Sequence, residues 1–425
     1  MNTPNIESRR SPGGVSRAKA DAVLWILAGV SIALLIYEAG TLITAVLLPL
    51  VDNPNAIQTD FHYYYEAAMR FRGDASKLYL PTDDVIAGFT YPPPAIVPFV
   101  VLSHAPLGPA FLVFTLASYA ALFGAVWVWL GYLRDRGRSI DTRTAIAVTL
   151  VAAALGPTYM NAIFGQVNTF VLACSVAFIA LGRLRQGFGA QARSMAAGVL
   201  LAAGIWLKIY PALLTAVGIW DRRTWRAIGS AVIAGFIIAI AALLVVPIDA
   251  YRSFLDVLST RADKTAVHIT NQSLMAFVER FSIAPAEFLN WTGREAVTTS
   301  AALRVANWVF GFAVIALLWT RARSNAGAVY STAALIALAA VIAPLGWGHT
   351  FVLVLPLVIV HLVSLRDAPP VHAAIVCLGV MALMVPAGRR FSFIEQWPAW
   401  LQNIAYSRYL IATMILIALP QGDKK

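Results

Sequence analysis

Charge is what this 425-residue chain has least of: Asp, Glu, Lys and Arg together make up 12% of it, against roughly 25% in soluble proteins. That scarcity excludes a conventional soluble surface. Cysteine is nearly absent, and Cys174 and Cys377 both lie inside apolar runs, so neither a disulfide framework nor a thiolate metal site is expected. No Walker loop is present, nor a GxGxxG following a strand, which disfavours nucleotide-dependent chemistry. No Asp/Glu/His grouping has metal-ligand spacing, so the sequence predicts neither a metal nor another cofactor. Heptads, a strong internal repeat and a separate soluble domain are also missing. What is there is apolar, at 59% of residues. Runs of ~20 apolar residues recur from Ala22 to Leu419, the length a helix needs to cross a ~30 Å hydrocarbon core. The chain is therefore an all-α polytopic membrane protein, and its +11 net charge reflects Lys and Arg in cytoplasmic loops rather than nucleic-acid binding.

Placing basic clusters in the cytoplasm gives about twelve crossings, within a range of about ten to twelve, with both termini inside. Residues 1–20 form a polar, disordered cytoplasmic tail, 21–420 a single transmembrane unit, and 421–425 a cytoplasmic tail. Two long outer loops result, 51–91 and 248–302, the first expected to carry interfacial helices. The segment Pro92–Ser103 is apolar but too short to span. Ser194–Trp220 is flanked by basic residues at both ends, Arg193 before it and Arg222 and Arg223 after it. One crossing would strand a basic cluster outside, so the sequence predicts two short helices broken at Lys208-Ile209-Tyr210-Pro211, with Lys208 in an outward-facing cavity. Pro211 has no amide proton to continue a helix, and irregular backbone at that depth belongs beside protein or a wet cavity.

Five polar motifs then share the outer face: Asp60, Gln166/Asn168, Lys208/Tyr210, Asn271/Gln272 and His349. Asp60 is suited to act as a general base, or as a solvated helix cap. Glu66, Asp83 and Asp84 are weaker acidic candidates, and His62 lies close to Asp60 in sequence. An ammonium among apolar helices, as at Lys208, marks a functional position by default and suits a phosphate partner, the alternative being a lysine that snorkels to the surface. Arg389, Arg390, Arg261 and Lys264 are candidates for further phosphate or acidic-lipid contacts, or ordinary surface charge. Gln166, Asn168, Asn271 and Gln272 offer paired donors and acceptors for a polyol, and His349 a hydrogen bond to sugar or phosphate. Tyr64 and Tyr91 suit sugar stacking, and equally a lipid interface.

In order along the chain, Asp60 with Tyr64-Tyr65-Glu66-Ala67-Ala68, Leu78-Tyr79, Tyr91-Pro92-Pro93, Gly165-Gln166-Val167-Asn168, Lys208-Ile209-Tyr210-Pro211, Asn271-Gln272-Ser273 and Trp347-Gly348-His349 resemble glycosyltransferase family 87. The resemblance implies a GT-C fold and an inverting transfer from a polyprenyl-phosphate sugar, without nucleotide or metal, on the outer face of a bacterial cytoplasmic membrane. Mannose is the first sugar it suggests, and arabinofuranose the alternative. The acceptor would be a glycolipid or lipid-linked glycan, and the enzyme a monomer in membrane lipid. By the same resemblance Asp60 would be the base and Lys208 would hold the donor phosphate; Tyr210, beside Lys208, and Arg389 and Arg390, by their charge on the same face, are grouped with that phosphate site. His349 would bind donor sugar or phosphate. Tyr64 and Tyr91, with Gln166, Asn168, Asn271 and Gln272, would shape the acceptor or sugar cleft. A flippase or transporter of lipid-linked sugars and a polymerase of lipid-linked glycans are the competing readings. No corresponding motifs in the two halves support the inverted repeat common in transporters.

Overall fold

The computed structural model describes residues 17–53, 59–79, 88–182, 189–290 and 296–419. The two tails lie largely or wholly outside that range, as do Asp83 and Asp84.

Helices dominate. α1 (Arg17–Leu42) runs on through a π-helical turn, Ile43–Leu47, to Leu48–Asp52. α2 (Asp60–Gly73) is the surface helix expected in the first outer loop, and α3 (Leu107–Asp135) is a full span. Next come α4 (Thr142–Ala153) and α5 (Gly156–Phe164), which meet at a 52° bend. Pro157 sits in the first turn of α5, where its missing amide proton costs that helix nothing but prevents a continuous α4–α5 rod. α6 (Asn168–Gly182), α7 (Ala190–Leu207) and α8 (Trp225–Ala242) pack together as the neighbouring group. The segment between α8 and the next long helix holds the amphipathic α9 (Ile248–Arg261) and a two-stranded antiparallel ribbon, β1 (Lys264–Ala266) with β2 (Ala296–Thr298). α10 (Ala301–Arg321), α11 (Asn325–Ile342), α12 (Leu355–Val363), α13 (Pro370–Met384) and α14 (Arg408–Ala418) complete the bundle.

α11 is the central post. It is buried along its whole length from Val329 to Ile342, whereas α10 and α8 expose apolar residues such as Phe312, Phe236 and Ile237. Exposed apolar surface of that extent is the lipid-facing side of a membrane protein.

Among the described residues six helices are long and apolar enough to cross a bilayer, and the bent α4–α5 pair makes a seventh. The other apolar helices, α6, α12, α13 and α14 among them, are shorter, so the expected dozen full crossings is not met by full-length helices. Part of the shortfall lies at breaks in the helices. The expected break at Lys208 is present: α7 ends there, Lys208 is extended (φ −153°, ψ 138°), and Tyr210–Ile219 continues as a 3-10 helix. α7 itself is longer than the half-span expected, 18 residues or roughly 27 Å. α12 is likewise preceded by a 3-10 stretch, Gly348–Val354. These irregular segments line one cavity.

Candidate active site

α2 begins where it does because Thr59 caps it, its hydroxyl accepting from the His62 amide at 3.3 Å. Asp60 is thereby fixed in the first turn, facing a cavity of about 590 Å³ that lies between α2, α5, α9 and the two 3-10 segments. The same cavity is lined by Tyr64, Tyr91, Gln166, Lys208, Tyr210 and His349. Seven residues singled out in the sequence therefore converge on one space, from positions as far apart as 60 and 349.

Gln166 is the hinge of this cluster. Gly165 before it adopts φ +63°, ending α5 as a left-handed cap that glycine accepts without a Cβ clash. The turn delivers the Gln166 amide to Asp60, to whose Oδ2 its Nε2 donates. Gln166 Oε1 in turn accepts from the Tyr91 hydroxyl at 2.8 Å and from Lys208 Nζ at 3.4 Å. One amide thus couples the carboxylate to the ammonium. Tyr64 and Tyr91 bond hydroxyl to hydroxyl at 2.6 Å, and burial pushes both phenols well above their ordinary pKa, keeping them neutral. The Tyr79 hydroxyl donates to the Tyr91 carbonyl at 2.6 Å, pinning the Tyr91-Pro92-Pro93 turn.

Burial raises the Asp60 pKa, while the Gln166 hydrogen bond and the Lys208 charge oppose that rise. Its side chain still keeps 34% of its surface open to the cavity. Lys208 is buried, its ammonium 5.3 Å from the Tyr91 ring centre and 5.7 Å from that of Tyr210, a two-sided cation–π cradle. His349 Nε2 stands 3.7 Å from Asp60 Oδ2. Asn168 sits behind the imidazole, its amide 2.9 Å from Nδ1. With that amide as donor, the ring proton resides on Nε2 and points toward Asp60, an assignment made from the hydrogen-bond network.

Other candidates fall elsewhere. Asn271 bonds the carbonyls of Ala266 and Pro344 and pairs with Trp347. The Gln272 amide donates to the Ile269 and Tyr406 carbonyls and accepts from the Tyr409 amide at 3.0 Å. Neither lines the cavity; their amides satisfy buried backbone, and Asn168 likewise acts from behind His349. Arg389 and Arg390 are exposed and outside the lining, Arg390 being clamped to Glu395 at 2.7 Å and to Asn290. His62 and Glu66 pair with each other on α2 at 3.0 Å, away from the cavity. Conversely, Tyr63, Met160, Phe164, His268, Thr270 and Trp347 do line it. Arg261 is there as well, on the last turn of α9. Asn161 was available to sequence inspection as a polar residue inside an apolar run. It donates to the His349 carbonyl at 2.6 Å and to that of Pro157 at 2.9 Å, fixing the histidine segment.

Among the described residues no group of three His, Cys, Asp or Glu side chains is placed to hold a metal ion. The geometry instead supplies a carboxylate, an ammonium, an imidazole and several hydroxyl and amide groups around one cavity, with apolar walls at Met160, Phe164, Ile209 and Leu345.

Residues 89–334 match glycosyltransferase family 87. That is more than half of the chain, and the protein belongs to this family: it is a membrane glycosyltransferase. No curated protein matches the chain significantly. Asp60 and His349 lie outside the matched residues, so their place in the site rests on the geometry just described.

Proposed function

We propose that this enzyme transfers a sugar from a polyprenyl-phosphate donor to a hydroxyl of a glycolipid or lipid-linked glycan, with inversion at the anomeric carbon. The observation that carries this reading is the pairing of Asp60 with Lys208 across Gln166 in one cavity. A base and a phosphate-sized cation are what such a displacement needs on the two sides of the sugar. Asp60 takes the proton of the acceptor hydroxyl as its oxygen bonds to the anomeric carbon. The bond from that carbon to the phosphate oxygen breaks, and its electron pair leaves with polyprenyl phosphate, whose charge Lys208 offsets. His349 and Gln166 hold the carboxylate and the sugar in register, and Tyr64 and Tyr91 form the wall. The apolar rim fits a lipid chain entering from the bilayer. The distribution of basic residues supports an extracytoplasmic site in a bacterial cytoplasmic membrane. Mannose is the first donor to test and a pentose such as arabinofuranose the second.

The test is release of polyprenyl phosphate by purified enzyme in lipid, supplied with polyprenyl-phosphate mannose and a glycolipid extract. Wild type is compared with Asp60→Asn, and donor binding is followed separately by thermal stabilisation. Turnover is expected to fall by about 10² to 10⁴, the range typical of a lost general base, with donor binding kept. Undiminished turnover by Asp60→Asn refutes the mechanism. Donor movement across the membrane without cleavage refutes the transferase reaction.

A further inference from the structure

A second recess lies between α1, α3 and α4 and shares no lining residue with the catalytic cavity. It measures about 290 Å³, at the lower end of ligand-binding cavities. Leu35, Leu42, Phe123 and Leu150 supply apolar walls. Its one acidic group is Glu38, in the middle of a membrane-spanning helix. Glu38 is only 3% exposed, and its Oε2 has no hydrogen-bond partner. Its electrostatic neighbours are the phenols Tyr119, Tyr159 and Tyr409 rather than a cation. An acidic side chain inside a span is costly and marks a functional position, and a buried carboxyl oxygen without a partner costs more than the same oxygen bonded. The transfer chemistry makes no use of it.

We propose that this recess binds the hydroxyl end of a neutral amphiphile, an alcohol head on an apolar body, with Glu38 as its hydrogen-bond partner. The walls accept an alkyl or isoprenoid segment entering sideways from lipid. The Thr149 hydroxyl, also on the lining, already donates to the Ala145 carbonyl at 2.7 Å, so it is free to accept from a ligand hydroxyl. A carboxyl group and an alcohol satisfy each other by mutual donation. An ammonium head fits less well: two ions taken into so apolar a recess cost several kcal/mol each to desolvate, and no further anion lines it. A bare acyl chain would fill the space and leave the carboxyl oxygen unbonded.

The experiment uses the full enzyme in lipid nanodiscs and a photoreactive dodecanol with a diazirine on its chain. Dodecylammonium and dodecane probes of the same design serve as comparison. Cross-links are mapped by peptide mass spectrometry. The alcohol is expected to label peptides containing Leu42 or Phe123, to be competed by excess dodecanol, and to label at least five-fold less in Glu38→Leu. Ala39→Trp, which fills the recess while keeping the acid, is expected to abolish labelling and carries the test should Glu38→Leu fail to fold. Equal labelling of wild type and Glu38→Leu overturns the proposal, as does an alkane or ammonium probe that labels as strongly as the alcohol.

Discussion

Replacing Gln166 by leucine tests whether this one amide sets the basicity of Asp60. Leucine keeps a comparable side-chain volume and removes both the donor to Asp60 and the acceptor for Tyr91 and Lys208. Collapse is not expected, because Tyr91 retains the Tyr64 hydroxyl and Lys208 retains its two aromatic faces. A hydrogen bond to a charged group contributes about 1.5–3 kcal/mol. With 34% of the Asp60 side chain open to cavity water, screening favours the lower end of that range. Roughly 1.5 kcal/mol corresponds to about one pH unit. The direction follows from the role of the bond. Gln166 holds the Asp60 pKa down against the rise caused by burial, so its removal moves that pKa up. A general base works only when deprotonated, and activity is lost as pH falls through its pKa. The acid limb of kcat/KM against pH, which reports the free enzyme, is therefore expected to move about one unit toward higher pH. Turnover on the plateau above it is expected to drop about tenfold through lost orientation. The assay is polyprenyl phosphate release across pH for wild type and Gln166→Leu. An acid limb that stays in place, or moves to lower pH, refutes this account of the site.

Three further changes separate chemistry from support. Lys208→Met is expected to lower kcat/KM by about 10² to 10³, the usual cost of one transition-state electrostatic partner; a loss below threefold in steady-state kinetics removes Lys208 from the donor-phosphate role. In Gly165→Ala the new Cβ would stand 2.5 Å from the Phe61 Cβ and 2.8 Å from the Phe111 ring, at φ +63°. Strain of about 1–3 kcal/mol is expected to lower the thermal midpoint in detergent and to displace Gln166; an unchanged midpoint with full activity refutes that reading of the turn. Gln272→Leu deletes the bonds to Ile269, Tyr406 and Tyr409, leaving buried groups unpaired at about 1–3 kcal/mol apiece. Its thermal midpoint is expected to fall while KM in the protein that stays folded holds, and a selective rise in KM would return Gln272 to the substrate.

Much of the site was legible because a membrane protein leaves its chemistry few hiding places. Asp60, Lys208 and His349 stood out as ionisable groups beside long apolar runs, and the charge asymmetry of the loops put them on one face. What the pattern did not carry was side-chain direction within irregular backbone. The sequence singles out Asn271 and Gln272, yet the structure turns His268 and Thr270, just before them, to the cavity and spends the amides of Asn271 and Gln272 on carbonyls. A loop without a helical or strand period gives no rule for which of two neighbouring residues faces in. Arg389 and Arg390 illustrate the converse. They were grouped with the site by charge and face alone, and Arg390 is satisfied locally by Glu395.

The helix count was less legible than the site, and for a related reason. At several places near the cavity the helices are interrupted: by Pro92, Pro93 and Pro94, at the Gly156-Pro157 bend, at Gly165, at Lys208 before Pro211, and from Pro344 to Gly348. Each interruption frees backbone groups that hydrocarbon would leave unpaired, and only a protein-lined or wet space tolerates them. Gly348 shows how tight the accommodation is, since a Cβ there would lie 2.7 Å from the Met160 sulfur and 2.8 Å from the Ala387 Cβ. At Lys208 and at His349, helix interruption and polar cavity are thus one structural decision. Uninterrupted spans at those positions would carry Lys208 and His349 on regular helix faces instead of at the ends and turns from which they reach Gln166 and Asp60.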